Sequence, residues 1–211
     1  MPGPIDQAWE KWEPWHPAEA ARVLADVRAP WYVAAGWAID LFLGGHHREH
    51  EDLEIAVPSD RFGEVAAALA EYELYVPGRI GDRYVAWPIA DEPERLEMHD
   101  QTLVREPATD RWRLDVFREP SEGNTWICKR DEAIRMPYAE LIERTADGIP
   151  YARPEIVLLF KATRSNPDEA IERDEADLAA VLEVLEPRRR RVLGELLERV
   201  APRHPWLRRL A

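Results

Sequence analysis

Asp52 and Glu54 are separated by one apolar residue. They lie in the segment 52–57, where polar and apolar residues alternate. On a β-strand, residues two apart share a face, so the two carboxylates would lie side by side while Leu53 and Ile55 face the core. Adjacent carboxylates repel each other unless a cation or water lies between them. Mg²⁺ binds carboxylate oxygens together with substrate phosphates. The pair therefore indicates a divalent-metal site, although such alternation also occurs on ordinary half-exposed strands.

A third carboxylate, Asp115, stands in a second alternating segment, 113–117. If this segment is a strand next to the first, the three carboxylates can hold two metal ions close together. Two such ions can stabilise the attacking and leaving oxygens of a phosphoryl or nucleotidyl transfer. Alone, Asp115 fits a surface strand equally well, and it gains significance from Asp52 and Glu54.

The elements that must position these residues follow from hydrophobic spacing and from glycine and proline. We predict a helix over 17–28, a strand over 31–35 that stops at Gly36, and a short helix over 37–43. Gly44 and Gly45 suit the left-handed end of that helix. A loop rich in histidine and arginine, 46–51, then leads into the acidic strand.

This order of elements resembles the nucleotidyltransferase superfamily typified by polymerase beta. It is most similar to the small aminoglycoside and lincosamide nucleotidyltransferases. The similarity is carried by Gly36-Trp37-Ala38-Ile39-Asp40, by Leu43-Gly44 and by Arg48-Glu49-His50-Glu51-Asp52-Leu53-Glu54. Later landmarks in the same order are Trp112 to Phe117, Trp126 to Asp131, Asp147 to Pro150 and Pro154 to Lys161. Two positions depart from the family pattern: Ala35 replaces the first glycine of a pair, and Glu54 replaces the more usual second aspartate.

The resemblance implies roles for the acidic residues. Asp52 and Glu54 would hold the Mg²⁺ that carries the nucleoside triphosphate. Asp115 would complete a second metal site and could act as the base that takes the proton of the acceptor hydroxyl.

Three further residues would face the triphosphate. Gly36 would let the backbone approach the phosphates, and Arg48 would neutralise the leaving pyrophosphate. Lys161 follows an apolar run in a chain that has only three lysines among its 28 basic residues, and its compact charge suits a triphosphate. The alternatives are that Gly36 merely ends a strand, that Arg48 is a solvated loop residue, and that Lys161 reaches water from a buried helix.

The predicted fold is α+β: a nucleotidyltransferase-like mixed β-sheet flanked by helices, followed by a C-terminal helical region. We place a nucleotidyltransferase α/β domain at 1–150 and the helical region at 151–211. Ser59 is a candidate N-cap for a helix that carries Phe62 and Val65. Further strands are predicted at 74–76, 83–87, 102–105 and 125–129. Further helices are predicted at 155–163, 168–185 and 187–200.

Composition excludes several classes of protein. The net charge of −13 argues against a protein that coats nucleic acid. No stretch has the roughly 18 uncharged apolar residues of a membrane span, and the N-terminal residues lack the pattern of an export signal. A single cysteine, Cys128, fits a reducing compartment, so we expect a cytoplasmic protein.

Other polar residues have simpler expected roles. No cysteine lies near His46, His47 and His50, and their spacing matches no zinc motif, so we expect a solvated loop. Asp40 is expected to cap or be exposed on the short helix. An acidic run in the second half is expected to be a solvated helix face, although it would also favour a cationic acceptor: Asp168, Glu169, Glu172, Asp174, Glu175 and Asp177.

The resemblance thus implies a magnesium-dependent nucleotidyltransferase. It would move a nucleoside monophosphate, AMP from ATP or the equivalent from another triphosphate, onto a hydroxyl of a small molecule such as an aminoglycoside-like antibiotic and release pyrophosphate. Two alternatives remain open at this point. One is an antitoxin or regulatory protein with this fold that acts on a protein partner. The other is a catalytically inactive nucleotide-binding protein, which the departures at Ala35 and Glu54 would favour.

Overall fold

The computed structural model of the chain describes residues 3–164 and 171–210. The strands are β1 (Ile5–Asp6), β2 (Tyr32–Val33), β3 (Glu54–Pro58), β4 (Glu73–Ile80), β5 (Arg83–Pro88), β6 (Gln101–Glu106), β7 (Arg111–Glu119), β8 (Ser121–Glu122), β9 (Thr125–Ile127), β10 (Arg135–Pro137), β11 (Ile142–Arg144) and β12 (Pro150–Ala152). The helices are α1 (Pro17–Val23), α2 (Ala35–Leu43), α3 (Phe62–Ala68), α4 (Arg95–Met98), α5 (Tyr138–Leu141), α6 (Pro154–Ala162), α7 (Ile171–Val184), α8 (Pro187–Val200) and α9 (Leu207–Leu210).

A nine-stranded mixed sheet organises the molecule, in the order β1-β5-β4-β6-β7-β3-β2-β12-β11. The β3/β7 and β2/β12 pairs are parallel, whereas the other pairs in this sheet are antiparallel. A small second sheet has the order β10-β9-β8. Helices α2 and α6 pack on each other, and α7 and α8 pack on them in turn. The predicted α+β architecture with a mixed sheet and flanking helices is therefore confirmed.

The strand predicted over 52–57 begins two residues later, at Glu54. One neighbour of β3 is β2, and the pairing of these two strands ends where Val33 lies opposite Ile55. After Val33 the chain turns into α2. The carbonyl of Asp52 accepts a hydrogen bond from the Trp37 indole nitrogen at 3.1 Å instead of a strand partner. Asp52 therefore lies in the loop that leads into β3, and Glu54 is the first residue of the strand.

Helix α2 begins at Ala35, two residues before the predicted start, and ends at Leu43 as predicted. Gly44 follows in the left-handed conformation, with a φ of 73°, which confirms its predicted role at the end of the helix. Ala35 itself has a φ of 47°. This conformation favours glycine, and Ala35 occupies the position where the resembling family has its first glycine.

Several other boundaries differ from the predictions. Helix α1 ends at Val23 and not at 28, and Ser59 does not cap α3, because a 3-10 turn, Ser59–Arg61, precedes that helix. The predicted helix over 187–200 is confirmed as α8. The helix predicted over 168–185 is observed as α7 from Ile171, and residues 168–170 lie outside the described residues.

The division of the chain near residue 150 stays a prediction. Helices α6, α7 and α8 follow that point, but β12 at the same place pairs with β2 in the main sheet. None of the helices in the described part of the chain has both the length and the apolar character needed to span a membrane.

Candidate active site

A cavity of about 520 Å³ lies where β3 and the start of α2 meet α6 and α7. Five of the six residues singled out in the sequence line it: Gly36, Arg48, Asp52, Glu54 and Lys161. The sixth, Asp115, is not among the lining residues found in the described part of the chain, and it is 4% exposed. The fold thus gathers predicted residues that are as far apart as 36 and 161 in the sequence.

The sheet places Glu54 directly beside Asp115. These residues are partners in the parallel β3/β7 ladder, and the Asp115 amide donates to the Leu53 carbonyl at 2.9 Å. Leu53 and Ile55 are fully buried, as the alternation predicts. The Gln101 side chain donates to Oδ2 of Asp115, whereas Oδ1 is buried and accepts no hydrogen bond within the described structure.

The pKa values of the three carboxyl groups, Asp52, Glu54 and Asp115, are all raised. Burial, followed by the negative charge of Asp52, raises the pKa of Glu54 to about 8. Burial, with a smaller contribution from Glu51, raises the pKa of Asp52. Burial and then the charge of Glu54 raise the pKa of Asp115 well above its ordinary value.

These groups fit a divalent cation, because an ion would stabilise their charged forms and would give the unpaired Asp115 oxygen a partner. The three carboxylates are not tightly clustered, however. Among the described residues, Asp40, His46 and His50 have ligand atoms that all lie within 4.8 Å of one another, whereas Asp52, Glu54 and Asp115 form no such group.

Gly36 is required by close packing at the start of α2. A Cβ atom at this position would lie 2.2 Å from Nη2 of Arg48 and 2.8 Å from two atoms of the His50 ring. The absence of a side chain therefore lets a guanidinium and an imidazole lie against the N-terminal turn of the helix. Ala34 gives this turn no side-chain cap, and the positive end of the helix dipole faces the cavity that Ala34, Ala35 and Gly36 line.

The opposite wall of the cavity is a network of ion pairs. Lys161 Nζ lies 3.0 Å from Asp174 Oδ1 and 2.8 Å from Asp177 Oδ2. Arg48 Nε lies 3.2 Å from Asp177 Oδ1, and Arg164 Nε lies 2.8 Å from Asp174 Oδ2. Burial works against ionisation of Asp177, but its bonds to Arg48 and Lys161 outweigh burial and lower its pKa.

This network corrects three expectations. Lys161 is only 7% exposed and is held by two aspartates, so it does not reach out to water. Arg48 is not a solvated loop charge. Asp174 and Asp177 are buried and do not belong to a solvated face, whereas Asp168 and Glu169 of the same run lie outside the described residues. The sequence did indicate that these two aspartates are buried, because Asp174 and Asp177 lie on the same face of the helix as the buried residues Leu178 and Val181.

Comparison with known proteins supports the resemblance. Residues 18–99 match the family model described as aminoglycoside-2''-adenylyltransferase. Proteins named 2''-aminoglycoside nucleotidyltransferase, from Klebsiella pneumoniae and Escherichia coli, are 30% identical over 99 residues, which is 47% of this chain and 49% of theirs. The match thus spans about half the length of these curated relatives.

Solved structures extend the similarity beyond this segment. A lincomycin-bound lincosamide antibiotic adenylyltransferase, LnuA, superposes with a TM-score of 0.52 at 16% identity over 79% of this chain and 94% of that chain. ANT(2'')-Ia in complex with adenylyl-2''-tobramycin superposes with a TM-score of 0.52 at 17% identity over 87% of this chain and 96% of that chain. The chain has the nucleotidyltransferase fold. The resemblance stated from the sequence is confirmed.

Within this nucleotidyltransferase fold, Asp40 and His50 form a buried pair that the sequence reasoning missed. Both side chains are 3% exposed, and His50 Nε2 lies 2.8 Å from Asp40 Oδ2. The His50 ring stacks on Trp37 with ring centroids 4.4 Å apart. Burial lowers the pKa of His50 even though Asp40 favours its charged form. The expectations that Asp40 caps or is exposed on the helix and that His50 is solvated are wrong, although His46 and His47 are exposed as expected.

Two further carboxylates line the cavity of the nucleotidyltransferase fold. Glu119 is buried, accepts hydrogen bonds from Tyr32 and Trp126, and has a pKa raised by burial. Asp100 pairs with Lys129 at 2.6 Å. The strand pattern contained a signal for Glu119, because it lies four residues after Asp115 and thus on the same face of β7.

Proposed function

We propose that this chain is a divalent-cation-dependent nucleotidyltransferase that transfers AMP from ATP to a hydroxyl group of a small cationic acceptor such as an aminoglycoside. The observation that carries the proposal is the juxtaposition of Glu54 and Asp115 on neighbouring parallel strands, next to a cavity that Asp52 and basic side chains also line. The match of residues 18–99 to the aminoglycoside-2''-adenylyltransferase family model supports the choice of reaction.

The carboxylates of Asp52, Glu54 and Asp115 would hold Mg²⁺, as the buried, unpaired oxygen of Asp115 suggests. Bound Mg²⁺ offsets the charge of the triphosphate and of the oxygens at the reacting phosphorus. We assign Asp115 as the group that takes the proton of the acceptor hydroxyl. Its carboxylate, ionised when a cation is bound, would accept that proton.

In the proposed reaction, the acceptor oxygen forms a bond to the α-phosphorus as its proton passes to Asp115. The bond between the α-phosphorus and the bridging oxygen breaks, and pyrophosphate leaves with that electron pair. Arg48, Lys161 and the N-terminal turn of α2 lie along the cavity and would stabilise the charge that develops on pyrophosphate.

A cationic acceptor is favoured by two further carboxylates that line the cavity, Glu119 and Asp100, the second of which is paired with Lys129. Opposite charge raises both the affinity for a cationic ligand and its rate of association. The overall charge of −13 acts in the same direction. Because the reaction consumes ATP, we propose that the protein works in the cytoplasm.

The test is to incubate the purified chain with Mg²⁺, ATP labelled at the α-phosphate, and a panel of aminoglycosides, lincosamides and neutral polyols. We expect pyrophosphate release that depends on an aminoglycoside and is abolished in Asp52→Asn and in Asp115→Asn. Asp26→Asn, which changes an exposed aspartate, serves as the matched control.

A fully active Asp52→Asn would refute the metal assignment. Magnesium-dependent nucleotide binding without turnover on the whole panel would favour the inactive nucleotide-binding alternative. No nucleotide binding, together with a tight complex with a protein partner, would favour the antitoxin alternative.

A further inference from the structure

The Asp40, His46 and His50 side chains converge between the end of α2 and the loop that follows it. The three ligand atoms all lie within 4.8 Å of one another. Oδ2 of Asp40 lies 2.8 Å from Nε2 of His50 and 3.3 Å from Nδ1 of His46. One carboxylate oxygen thus lies between two imidazole nitrogens that belong to different rings.

The surroundings of this cluster have the features of a metal site. The second nitrogen of His46, Nε2, lies 3.5 Å from Oε1 of Glu49. A carboxylate on the far nitrogen of a histidine is the usual arrangement around metal-bound histidines, because it orients the ring and increases its basicity. The backbone amide of His47 donates to Asp40 Oδ2 at 3.3 Å and so orients the carboxylate.

Asp40 also carries an unsatisfied oxygen. Its side chain is 3% exposed, and Oδ1 has no hydrogen-bond partner among the described residues. Burying a carboxylate oxygen without a partner is costly. A cation bound by both oxygens of Asp40 would remove this cost.

We propose that Asp40, His46 and His50 bind a transition-metal cation, with Zn²⁺ as the best chemical match. Two imidazole nitrogens and one carboxylate oxygen are typical ligands of Zn²⁺ and of Co²⁺ or Ni²⁺, whereas Mg²⁺ and Ca²⁺ prefer oxygen ligands alone. The His46 side chain is 48% exposed, so water can supply the fourth ligand and the cation can enter from solvent.

The cation would be structural. It would join the last turns of α2 to the loop that carries Arg48. The His50 ring also stacks on Trp37, whose indole donates to the carbonyl of Asp52. Binding at the cluster would therefore restrict the loop on which two of the proposed active-site residues lie. This proposal does not depend on the nucleotidyltransferase reaction.

The experiment uses the full metal-stripped chain, titrated with Zn²⁺ in a calorimeter and with Co²⁺ by visible absorption. We expect one Co²⁺ per chain to show the intense absorption of a four- or five-coordinate site and to be displaced by Zn²⁺, whereas any Co²⁺ on the carboxylates of β3 would add only weak absorption. His46→Ala should lower the affinity roughly 100-fold or more, and Glu49→Gln about 10-fold, because Glu49 orients the ring of a metal-binding histidine. His47→Ala, at the exposed neighbouring histidine, should bind like the wild type, and Asp52→Asn should keep the intense Co²⁺ absorption of the Asp40, His46 and His50 site.

Three results would overturn the proposal. The first is equal affinity in the wild type and His46→Ala. The second is loss of binding in Asp52→Asn together with weak Co²⁺ absorption, which would place the cation at the carboxylates of β3. The third is no Zn²⁺ binding at micromolar concentration, which would leave Asp40 as a hydrogen-bond partner of His50 only. If His46→Ala fails to fold, Glu49→Gln decides the question, because its side chain is 98% exposed and its loss does not disturb packing.

Discussion

Glu54→Gln tests the electrostatics of the cavity through stability. The pKa of Glu54 in the folded chain is about 8, against an ordinary value of 4.5. The folded state binds the Glu54 proton more tightly than the unfolded state does. Proton binding therefore stabilises the folded state fully below pH 4.5, and this stabilisation is lost as the pH rises towards 8. Without divalent cations, the wild type should therefore become less stable across this range.

The magnitude follows from the two pKa values. A tenfold change in proton affinity is worth about 1.4 kcal/mol, so the difference between 4.5 and 8 corresponds to about 5 kcal/mol of folding free energy. Glu54 lines the cavity, and water there screens its charge, so we expect about half of this value in practice. Glutamine has a similar shape and no charge, and Glu54→Gln should lack this part of the pH dependence.

The assay is urea denaturation in EDTA at several pH values from 5 to 8.5, for the wild type, Glu54→Gln and the control Glu71→Gln, which changes an exposed residue. The wild type and Glu54→Gln should have similar stability near pH 5 and diverge by about 2–3 kcal/mol at pH 8, with the wild type less stable. Addition of Mg²⁺ at pH 8 should restore the wild type far more than the variant. Parallel pH profiles of the wild type and Glu54→Gln would refute the reasoning.

Three further predictions concern the helix that begins the site and the cations opposite it. Ala35→Gly should raise the free energy of unfolding by about 1 kcal/mol in thermal denaturation, because glycine adopts a φ of 47° without strain; unchanged or lower stability would contradict this. Gly36→Ala should displace the Arg48 guanidinium and weaken Mg²⁺-ATP binding at least about 10-fold in calorimetry. An affinity near that of the wild type would contradict this prediction. Lys161→Met should cost about 2–3 kcal/mol in urea denaturation because it removes one of the two cationic partners of each of two buried aspartates, whereas Lys129→Met, at a more exposed ion pair, should cost about 1 kcal/mol or less.

The alternation around Glu54 and Asp115 predicted two strands that could place these carboxylates side by side, and the β3/β7 pairing confirms that placement, while the roles of the residues stay a prediction. Alternation fixed which side chains of β3 and β7 share a face, and the resemblance supplied their order along the chain. The pattern could not show that Asp52 precedes the strand. That depends on where the partner β2 ends and on the indole of Trp37, a contact between residues 15 apart.

The ion pairs could not be predicted from charge alone. Helix α7 contains many acidic residues, and an acidic helix is most often solvated. The exceptions are the two aspartates on the same stripe as Leu178 and Val181, and the spacing of that stripe was visible in the sequence. The partners of these aspartates could not be predicted, because Arg48 and Asp177 are 129 positions apart in the chain.

The ion pairs also explain why nucleotide binding should require a metal. Three cations, Arg48, Lys161 and Arg164, share two buried aspartates, so only one positive charge of the network remains uncompensated. Even with Arg130, a further cation that lines the cavity, this charge and a helix dipole equivalent to about half a charge fall short of the negative charge of a triphosphate. Without a cation, burial keeps a proton on Glu54, whose pKa is about 8, so the sheet side of the cavity offers the nucleotide no positive charge. A divalent cation on Asp52 and Glu54 would supply one, so we expect ATP affinity to fall sharply in EDTA and to recover with Mg²⁺.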